Sequence, residues 1–282
     1  MAIKTLLVIF AHPDDESFGM GGTLAYYAQS GIAVHLICAT RGEAGTVDAK
    51  HLEGFTSIAD LRESELRCAA STLGLSGVHF LDYRDSGMPG SADNQHPQAL
   101  INQPVEVVAG RIAELIRQLQ PQVLVTFDPI GGYKHPDHIH IHKATVRSFH
   151  LAGDPVFNSS LPPFQPSKLY YSVFSRRFLK LVVRLMPLIG QDPRRFGRNK
   201  DINILQLVEE GDFPIHARIR YRGAEMQRET ASACHASQLP GGPPRRGLFA
   251  WISRLFPAED TFMRAYPVAE PGLRETDLFA GL

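Results

Sequence analysis

The chain has 282 residues, of which 44% are hydrophobic and 21% charged, a composition typical of a globular protein with a sizeable core. Its 29 basic and 29 acidic residues cancel, so no overall field favours nucleic acid as a partner. We expect neither a membrane span nor a signal peptide, because the apolar runs are too short and the first, at 6–11, leads into acidic residues. The three cysteines (Cys38, Cys68 and Cys234) are few and far apart, which predicts reduced thiols in a cytoplasmic protein.

Short apolar runs alternate with helical periods through the first part of the chain. Strands are predicted at 5–10, 33–40, 78–83, 122–128 and 168–174. Helices are predicted between them at 23–31, 58–74 and 105–119. Strands that alternate with helices imply right-handed crossovers and a parallel sheet covered on both faces. The predicted fold class is therefore α/β, a Rossmann-like and mainly parallel sheet with helices on both faces.

The second part of the chain is less regular. A basic amphipathic segment at 176–200 is typical of a helix that packs on the sheet with a solvated basic face, which we favour over a helix on an anionic membrane surface. A loop is predicted at 239–247 and a late edge strand at 262–267.

We recognise no linker between domains, so we expect a single domain over residues 1–282. Its core, which carries the motifs described below, is residues 1–145. Residues 146–282 are expected to supply elements on the substrate side and the late strand.

Polar residues are concentrated directly after two of the predicted strands. His12, Asp14, Asp15 and Glu16 follow the first strand, and the histidine-rich segment 128–142 follows the fourth. Ligands of such sheets bind at the carboxyl ends of the strands, so the two clusters can meet there. Two imidazoles and a carboxylate suit zinc or a similar divalent ion, and a spare carboxylate can act as general base. The residues alone leave four candidates for the second histidine: His135, His138, His140 and His142.

Five motifs in register resemble one known family. They are AHPDDE, GMGGTLA, TRGEAG (40–45), YRDSGM (83–88) and GGYKHPDHIHIH (131–142). Their order and spacing are similar to those of the LmbE-like, or N-acetylglucosaminylphosphatidylinositol de-N-acetylase, family. The pattern most resembles actinobacterial thiol-biosynthesis deacetylases and amidases that act on N-acetylglucosaminyl-inositol compounds. HASQ (235–238) resembles a late family motif, whereas we recognise no family motif at 146–234.

The resemblance implies a hydrolase, dependent on zinc or on another divalent ion such as Fe²⁺, that releases acetate from an N-acetylated amino-sugar conjugate. The implied metal ligands are His12, Asp15 and His138. Asp14 is the implied general base, and His135 the residue that assists the oxyanion or the departing amine. If Pro136 opens a helix, His135 lies at its entry and His138 in its first turn. We interpret His142, one turn further along, as a packing residue.

The resemblance also implies residues that bind the substrate. Those expected to contact the amino sugar or to lie near the metal are Arg67, Arg84, Asp85 and Tyr133. We interpret Glu16 as a residue that complements the dipole of a helix start. Arg41 and Glu43 either line the site or pair with each other. The expected partner is a small amino-sugar substrate and not a nucleic acid, and the sequence leaves homo-oligomers open.

Several other functions are compatible with parts of the sequence. GMGG suggests a dinucleotide fingerprint, but its third glycine follows the second directly, and Thr40 and Arg41 stand where a ribose-binding acid is expected. A two-metal phosphoester hydrolase needs a bridging carboxylate and more ligands than are evident. A non-catalytic carbohydrate-binding protein has no use for both Asp14 and His135. A hydrolase of another amide remains an alternative.

Overall fold

The computed structural model describes residues 3–195, 203–210, 212–239 and 258–282. Over these residues the chain forms one seven-stranded sheet. In chain order its strands are β1 (Thr5–Phe10), β2 (Ala33–Thr40), β3 (Gly77–Tyr83), β4 (Val123–Phe127), β5 (Lys168–Ser172), β6 (Ala217–Arg220) and β7 (Glu259–Tyr266). They lie in the order β3-β2-β1-β4-β5-β7-β6, and the first five are parallel. The predicted α/β class with a mainly parallel sheet is confirmed.

The last two strands of the sheet are antiparallel to their neighbours. β7 pairs with β5 on one side and with β6 on the other, so β6 lies at the edge. The strand predicted at 262–267 is real, but its placement at the edge is wrong. The reason is that β6 is short, with only two buried residues alternating with two exposed ones, and such a pattern is a weak signal in a sequence.

Helices cover the two faces of this sheet. Among the described residues they are α1 (Asp15–Gln29), α2 (Ile58–Leu73), α3 (Val105–Leu119), α4 (Gly131–Lys134), α5 (Pro136–Gly153), α6 (Arg176–Leu185), α7 (Ile204–Glu210) and α8 (Glu225–Cys234). α1 and α2 contact α8, and α3 packs against α5. The crossovers from β1 to β3 and those from β3 to β5 run in opposite directions along the sheet. Right-handed connections therefore place the two groups of helices on opposite faces.

The helices predicted at 58–74 and 105–119 match α2 and α3. The stripe of α2 that was expected to face the core is buried: Leu66, Ala69, Ala70 and Leu73. Gly74 ends this helix in the left-handed conformation, at φ 76°, which is cheap only for glycine. β1, an interior strand of the sheet, is buried at every residue, as a continuous apolar run predicts.

α1 begins at Asp15, well before the predicted start at residue 23. Its glycines have low helix propensity, which conceals the helix in the sequence. Gly22 is needed for packing, because a Cβ at this position would lie 2.4 Å from the ring of Tyr221, just beyond β6. GMGG therefore lies inside a helix and not in the turn between a strand and a helix, which excludes the dinucleotide fingerprint.

The prediction that all cysteines are reduced is wrong for two of them. Cys68 in α2 and Cys234 at the end of α8 form a disulfide, with 5.9 Å between their Cα atoms. They are 166 residues apart in sequence and meet because α2 and α8 pack side by side. Sequence spacing alone carries no signal for a pair brought together by helix packing. Cys38, in β2, is a buried free thiol.

The basic segment 176–200 is helical over α6, which contacts α7. Residues 196–200 of this segment, and 240–247 of the predicted loop, lie outside the described residues. In the ranges that the structure describes, no helix combines the length and the apolar character that crossing a membrane requires.

Candidate active site

The two polar clusters meet at the carboxyl ends of β1 and β4. These strands are parallel neighbours, with Leu6 opposite Val123, so the segments that follow them emerge side by side. The first segment carries His12 and leads into α1, and the second carries His135 and His138 and leads into α5. His12 Nδ1 consequently lies 3.2 Å from His138 Nε2, although the two residues are 126 positions apart.

The three residues predicted to bind a metal are in contact with one another. Asp15 places Oδ1 3.3 Å from His138 Nε2 and Oδ2 3.5 Å from His12 Nδ1. The backbone N–H of His12 donates to Asp15 Oδ2 at 2.8 Å, which orients the carboxylate. His138 stacks on Phe127 at 3.9 Å, and its Nδ1 lies 3.2 Å from the carbonyl oxygen of Gly131. These contacts hold the ring with Nε2 directed at Asp15 and His12.

Further possible donors surround His12. The ligating atom of His135 lies within 4.8 Å of those of the His12 and His138 pair, and His12, Asp85 and Asp137 form a second group within the same limit. His12 Nε2 is 3.3 Å from Asp85 Oδ1 and 3.2 Å from Asp137 Oδ2. Imidazole nitrogens and carboxylate oxygens at this spacing are donors that zinc and similar ions take. The donor set therefore fits a divalent ion.

Asp137 was not identified from the sequence. It is fully buried, and the backbone N–H and the hydroxyl of Ser86 both donate to it, the former at 2.9 Å. The available signal was an acid between two histidines in HPDH, which sequence reasoning treated as part of a helix start.

Asp14 precedes Asp15 but has different partners. Its backbone is in the left-handed region, at φ 115°, which is unfavourable for a residue with a Cβ. Its carboxylate accepts a hydrogen bond from Arg62 Nη2 at 2.9 Å. Burial raises the pKa of Asp14 to about 6 against the opposing charge of Arg62, and the nearby Asp15 adds to the rise. A carboxyl group that titrates near neutral pH is suited to proton transfer.

His135 is the N-cap of α5, and Pro136 is its first residue, as predicted. The backbone N–H of Asp137 donates to His135 Nδ1 at 3.2 Å. Burial, together with the charges of His12 and His138, holds the pKa of His135 well below its usual value, so its imidazole is neutral. Because Nδ1 accepts a hydrogen bond, the ring hydrogen lies on Nε2.

The two remaining candidate histidines belong to neither group of donors among the described residues. His142 Nδ1 lies 2.9 Å from the carbonyl oxygen of Phe127, and its ring packs edge-on against Tyr171 at 4.7 Å. This is the environment of a packing residue. His140 is buried elsewhere on α5.

Most of the predicted site residues line a pocket of about 350 Å³. Its polar lining comprises His12, Asp14, Asp15, Arg62, Asp85, Tyr133, His135, His138, Ser172 and Gln238, and its apolar lining includes Phe10, Phe18, Phe127 and Phe174. A second pocket of about 240 Å³ adjoins it, since Met88 and Tyr133 line both. Lys134, Asn203 and Gln206 add polar groups to the second pocket.

Arg67 does not line either of these pockets. Its side chain is 61% exposed and pairs with Glu63 at 2.6 Å. Arg62, one and a half turns earlier on α2, is buried and donates to Asp14 and to the carbonyl oxygens of Pro13 and Gly42. The sequence could not separate the two arginines, because both fall on a helix whose rotation relative to the pocket is set by tertiary packing.

Arg41, Glu43 and Arg84, which were considered as possible site residues, each bond to another part of the protein. Arg41 bonds to Glu63 and Asp82, and not to Glu43. Glu43 accepts the backbone N–H of Asp85 at 3.1 Å, so it supports the loop that carries this pocket residue. Arg84 pairs with Asp93 at 2.6 Å.

Glu16 and the late motif HASQ meet behind the pocket. Glu16 Oε1 lies 2.7 Å from His235 Nε2, and both side chains have no exposed surface. Burial by itself would raise the pKa of Glu16, but His235 and the donors Ser17 and Asp14 hold it below its usual value. The dipole interpretation of Glu16 is thus incomplete, because the residue is part of a buried ion pair.

Comparison with known proteins shows the relationships of the chain. Residues 7–149 match the family described as PIG-L, GlcNAc-PI de-N-acetylase. A 1D-myo-inositol 2-acetamido-2-deoxy-alpha-D-glucopyranoside deacetylase of Salinispora arenicola is 33% identical over 292 residues, covering 99% of the chain and 92% of the relative.

Two solved structures show the same fold at low identity. An N,N'-diacetylchitobiose deacetylase of Pyrococcus horikoshii aligns with a TM-score of 0.62 at 20% identity, over 93% of the chain and 83% of its own. A 4-carboxy-2-hydroxymuconate hydratase of Pseudomonas putida aligns with 0.64 at 17%, over 96% of the chain and 100% of its own. Since these two enzymes differ in chemistry, the fold alone does not decide the activity. The family match and the curated relative do decide the family: the chain belongs to the GlcNAc-PI de-N-acetylase, or PIG-L, family.

Proposed function

We propose that the chain hydrolyses the N-acetyl amide of an N-acetylglucosaminyl conjugate with a hydroxyl-rich aglycone, releasing acetate and the free amino sugar. The observation that carries this proposal is the mutual contact of His12, Asp15 and His138, which line the same pocket as Asp14. The curated relative named above, a deacetylase of an acetamido sugar joined to inositol, supports the choice of substrate.

We assign His12, Asp15 and His138 as ligands of one divalent ion, zinc or Fe²⁺. When bound, such an ion supplies Lewis acidity, which lowers the pKa of a water and polarises the amide carbonyl. Asp85 and Asp137 hold the opposite edge of the His12 ring, and carboxylates in this position orient a histidine ligand and increase its basicity.

Asp14 and His135 are assigned the proton transfers. Asp14 accepts the proton of the attacking water, since it lines the pocket next to Asp15. Neutral His135 carries its hydrogen on Nε2, so it can donate to the carbonyl oxygen as negative charge develops. One such donor is typically worth about 3–4 kcal/mol in the transition state. Protonated Asp14 then returns its proton to the departing amine.

Arg62, Asp85 and Tyr133 are the residues that we assign to the amino sugar, because all three line the main pocket. A carboxylate and a guanidinium together satisfy both the donors and the acceptors of sugar hydroxyls. The predicted role of Arg67 stays a prediction, and its exposed position favours Arg62 for this task.

The second pocket is assigned to the aglycone. Its Lys134 is already neutralised by Glu210, at 2.5 Å, and Gln206 Nε2 donates to the same carboxylate at 3.0 Å. A lysine with its own counter-ion offers hydrogen bonds without excess charge, which suits a polyol better than a phosphate. We therefore favour a neutral aglycone of the inositol type over an anionic one.

The test is a panel of substrates, with acetate and amine both quantified. The panel contains N-acetylglucosaminyl-inositol, methyl N-acetylglucosaminide, an N-acetyl alkylamine and a phosphomonoester. We expect kcat/KM to decrease in the order given, with no phosphate released. Equal constants for the sugar and the alkylamine would refute a sugar site, and release of phosphate without acetate would replace the deacetylase by a phosphoester hydrolase.

A further inference from the structure

Behind the pocket lies an ion pair that none of the proposed steps uses. Glu16 is in the first turn of α1, and His235 comes from HASQ, 219 residues later. Neither has any exposed surface, and the two are 2.7 Å apart. A buried pair of this kind is weak evidence for stability, because removing two charges from water costs about as much as their attraction returns. Its geometry suggests another use.

The second oxygen of Glu16 holds the amide of Asp14. The backbone N–H of Asp14 donates to Glu16 Oε2 at 3.0 Å. On the other side, the carbonyl oxygen of Asp14 accepts the backbone N–H groups of Ser17 at 3.1 Å and Phe18 at 2.9 Å. The peptide groups on both sides of Asp14 are thus tied down, and the residue between them has φ 115°. Such a conformation persists only where the surroundings enforce it.

Glu16 is itself held from a distant part of the chain. Its Oε1 accepts a hydrogen bond from Ser17 Oγ and is also bonded to His235 Nε2. His235 follows Cys234 directly, and the disulfide to Cys68 attaches this end of α8 to α2. Two residues later, Ser237 donates to the buried Glu65 of α2 from both its N–H and its hydroxyl, at 2.7 and 2.8 Å. The late motif therefore anchors the carboxylate that holds Asp14.

We propose that Glu16 and His235 are positioning residues, which keep the backbone of Asp14 in its left-handed conformation and so aim its carboxylate into the pocket. The inference rests on the proposed role of Asp14 as general base. Misplacement of a catalytic group by about 1 Å can cost about 100-fold in rate. Loss of either positioning residue should accordingly lower kcat by about 10- to 100-fold and leave KM within about threefold.

The test is a double-mutant cycle on the full chain. Glu16→Gln and His235→Gln are made singly, and each is also combined with Asp14→Asn. Each is assayed for kcat, KM, bound divalent metal and thermal midpoint. If the pair acts through Asp14, both substitutions lower kcat in the wild-type background and have little further effect beside Asp14→Asn. Bound metal stays at the wild-type stoichiometry, because Asp15, His12 and His138 are untouched.

A matched control is Glu275→Gln, which alters another buried carboxylate. Glu275 pairs with Lys168 at 2.9 Å. Lys168 is at the amino end of β5, whereas the pocket lies at the carboxyl ends of the parallel strands. This variant should lower the thermal midpoint without a selective loss of kcat.

Three outcomes would overturn the inference. If Glu16→Gln and His235→Gln lowered kcat by the same factor in the wild-type and Asp14→Asn backgrounds, the pair would be merely structural. The same would follow if Glu275→Gln lowered kcat as much as they do. Unchanged kcat in Glu16→Gln and His235→Gln would remove the role altogether. A normal kcat in Asp14→Asn alone would instead refute the proposed general base. His235→Gln changes only the distant anchor of Glu16 and keeps the Glu16 carboxylate itself, so it tests the proposal if Glu16→Gln does not fold.

Discussion

Two adjacent aspartates have different surroundings and, in the proposed mechanism, different roles. Asp15 lies within 3.5 Å of both His12 and His138, whereas the partner of the Asp14 carboxylate is Arg62. In the proposed mechanism Asp15 therefore shares an ion with these two histidines, and Asp14 remains beside them for proton transfer. Two adjacent aspartates in the sequence already predict these two roles, since a catalytic metal site needs a ligand and a base close together. They do not reveal Arg62.

Arg62 and Arg67 lie on the same helix, α2, but differ in burial, so their substitution should have different effects. Arg62→Met removes donors to Asp14, Pro13 and Gly42, and leaves the partly buried Asp14 carboxylate without its cation. We expect kcat/KM to decrease at least 10-fold and the free energy of unfolding by about 3–5 kcal/mol. Arg67→Met, the matched control on the same helix, should change either quantity little, because its exposed pair with Glu63 is worth under about 1 kcal/mol.

The measurements are steady-state kinetics and urea denaturation of both variants. If Arg67→Met lost sugar hydrolysis while Arg62→Met retained it, the original prediction for Arg67 would be right and the assignment of Arg62 wrong.

The elements differ in how much of them local sequence determines. β1, β2, α2 and α3 were predictable, because an apolar run or a 3.6-residue stripe is a property of a short window. The start of α1 and the strand β6 were not predictable, because contacts with residues outside such a window determine where they form. A glycine is needed at position 22 because the ring of Tyr221, from a distant part of the chain, occupies the space of a side chain.

This close approach predicts opposite effects for two glycines of α1. Gly22→Ala would place a Cβ 2.4 Å from the Tyr221 ring, and we expect it to destabilise the fold by about 1–3 kcal/mol. Gly19→Ala meets nothing within 4 Å, so it should be neutral or stabilise by up to about 1 kcal/mol. Thermal or urea unfolding of the two variants measures the difference. Equal stabilities would mean that α1 does not approach Tyr221 so closely.

For the whole molecule, we propose that residues 1–282 act as a single domain. β7 pairs with β5 within the same sheet, and HASQ reaches Glu16 in the first helix. Local patterns predict the motif-bearing half well. They fail for contacts such as Cys68–Cys234 and Glu16–His235, since the packing of α8 on α1 and α2 brings these pairs together and a single sequence carries no signal for that packing.

One long-range contact makes stability depend on pH. Asp260 of β7 accepts the N–H and the hydroxyl of Thr23 in α1, at 2.9 and 2.7 Å. Burial nevertheless raises the pKa of Asp260 to about 6, since these hydrogen bonds only partly oppose it. The unfolded chain has the ordinary value of about 4. The folded state holds the proton more tightly, so the stability that this group contributes is present below about pH 4 and is lost as the pH rises to about 6.

Asp260→Asn keeps an acceptor for Thr23 and removes the titration. As the pH rises from about 4 to about 6, the free energy of unfolding of this variant should increase by about 1–3 kcal/mol relative to that of wild type. Above about pH 6 the difference between the two proteins should stay constant. Urea denaturation of both proteins across this range gives the difference directly. A difference that is constant with pH would show that Asp260 has an ordinary pKa in the folded chain.

The distance in sequence between His12 and His138 has a thermodynamic consequence. These residues are 126 positions apart and come together only when β1 and β4 pair. An ion held by both therefore binds the folded chain far better than the unfolded one, and its concentration becomes a variable of stability. At 100 times the dissociation constant the gain is about 2.7 kcal/mol, or about 5–10 °C in the thermal midpoint. We expect a chelator to lower the midpoint, and zinc to restore it in proportion to the logarithm of its concentration. Asp14→Asn should keep this response and Asp15→Asn should lose most of it, so that a melting curve reports occupancy without any substrate.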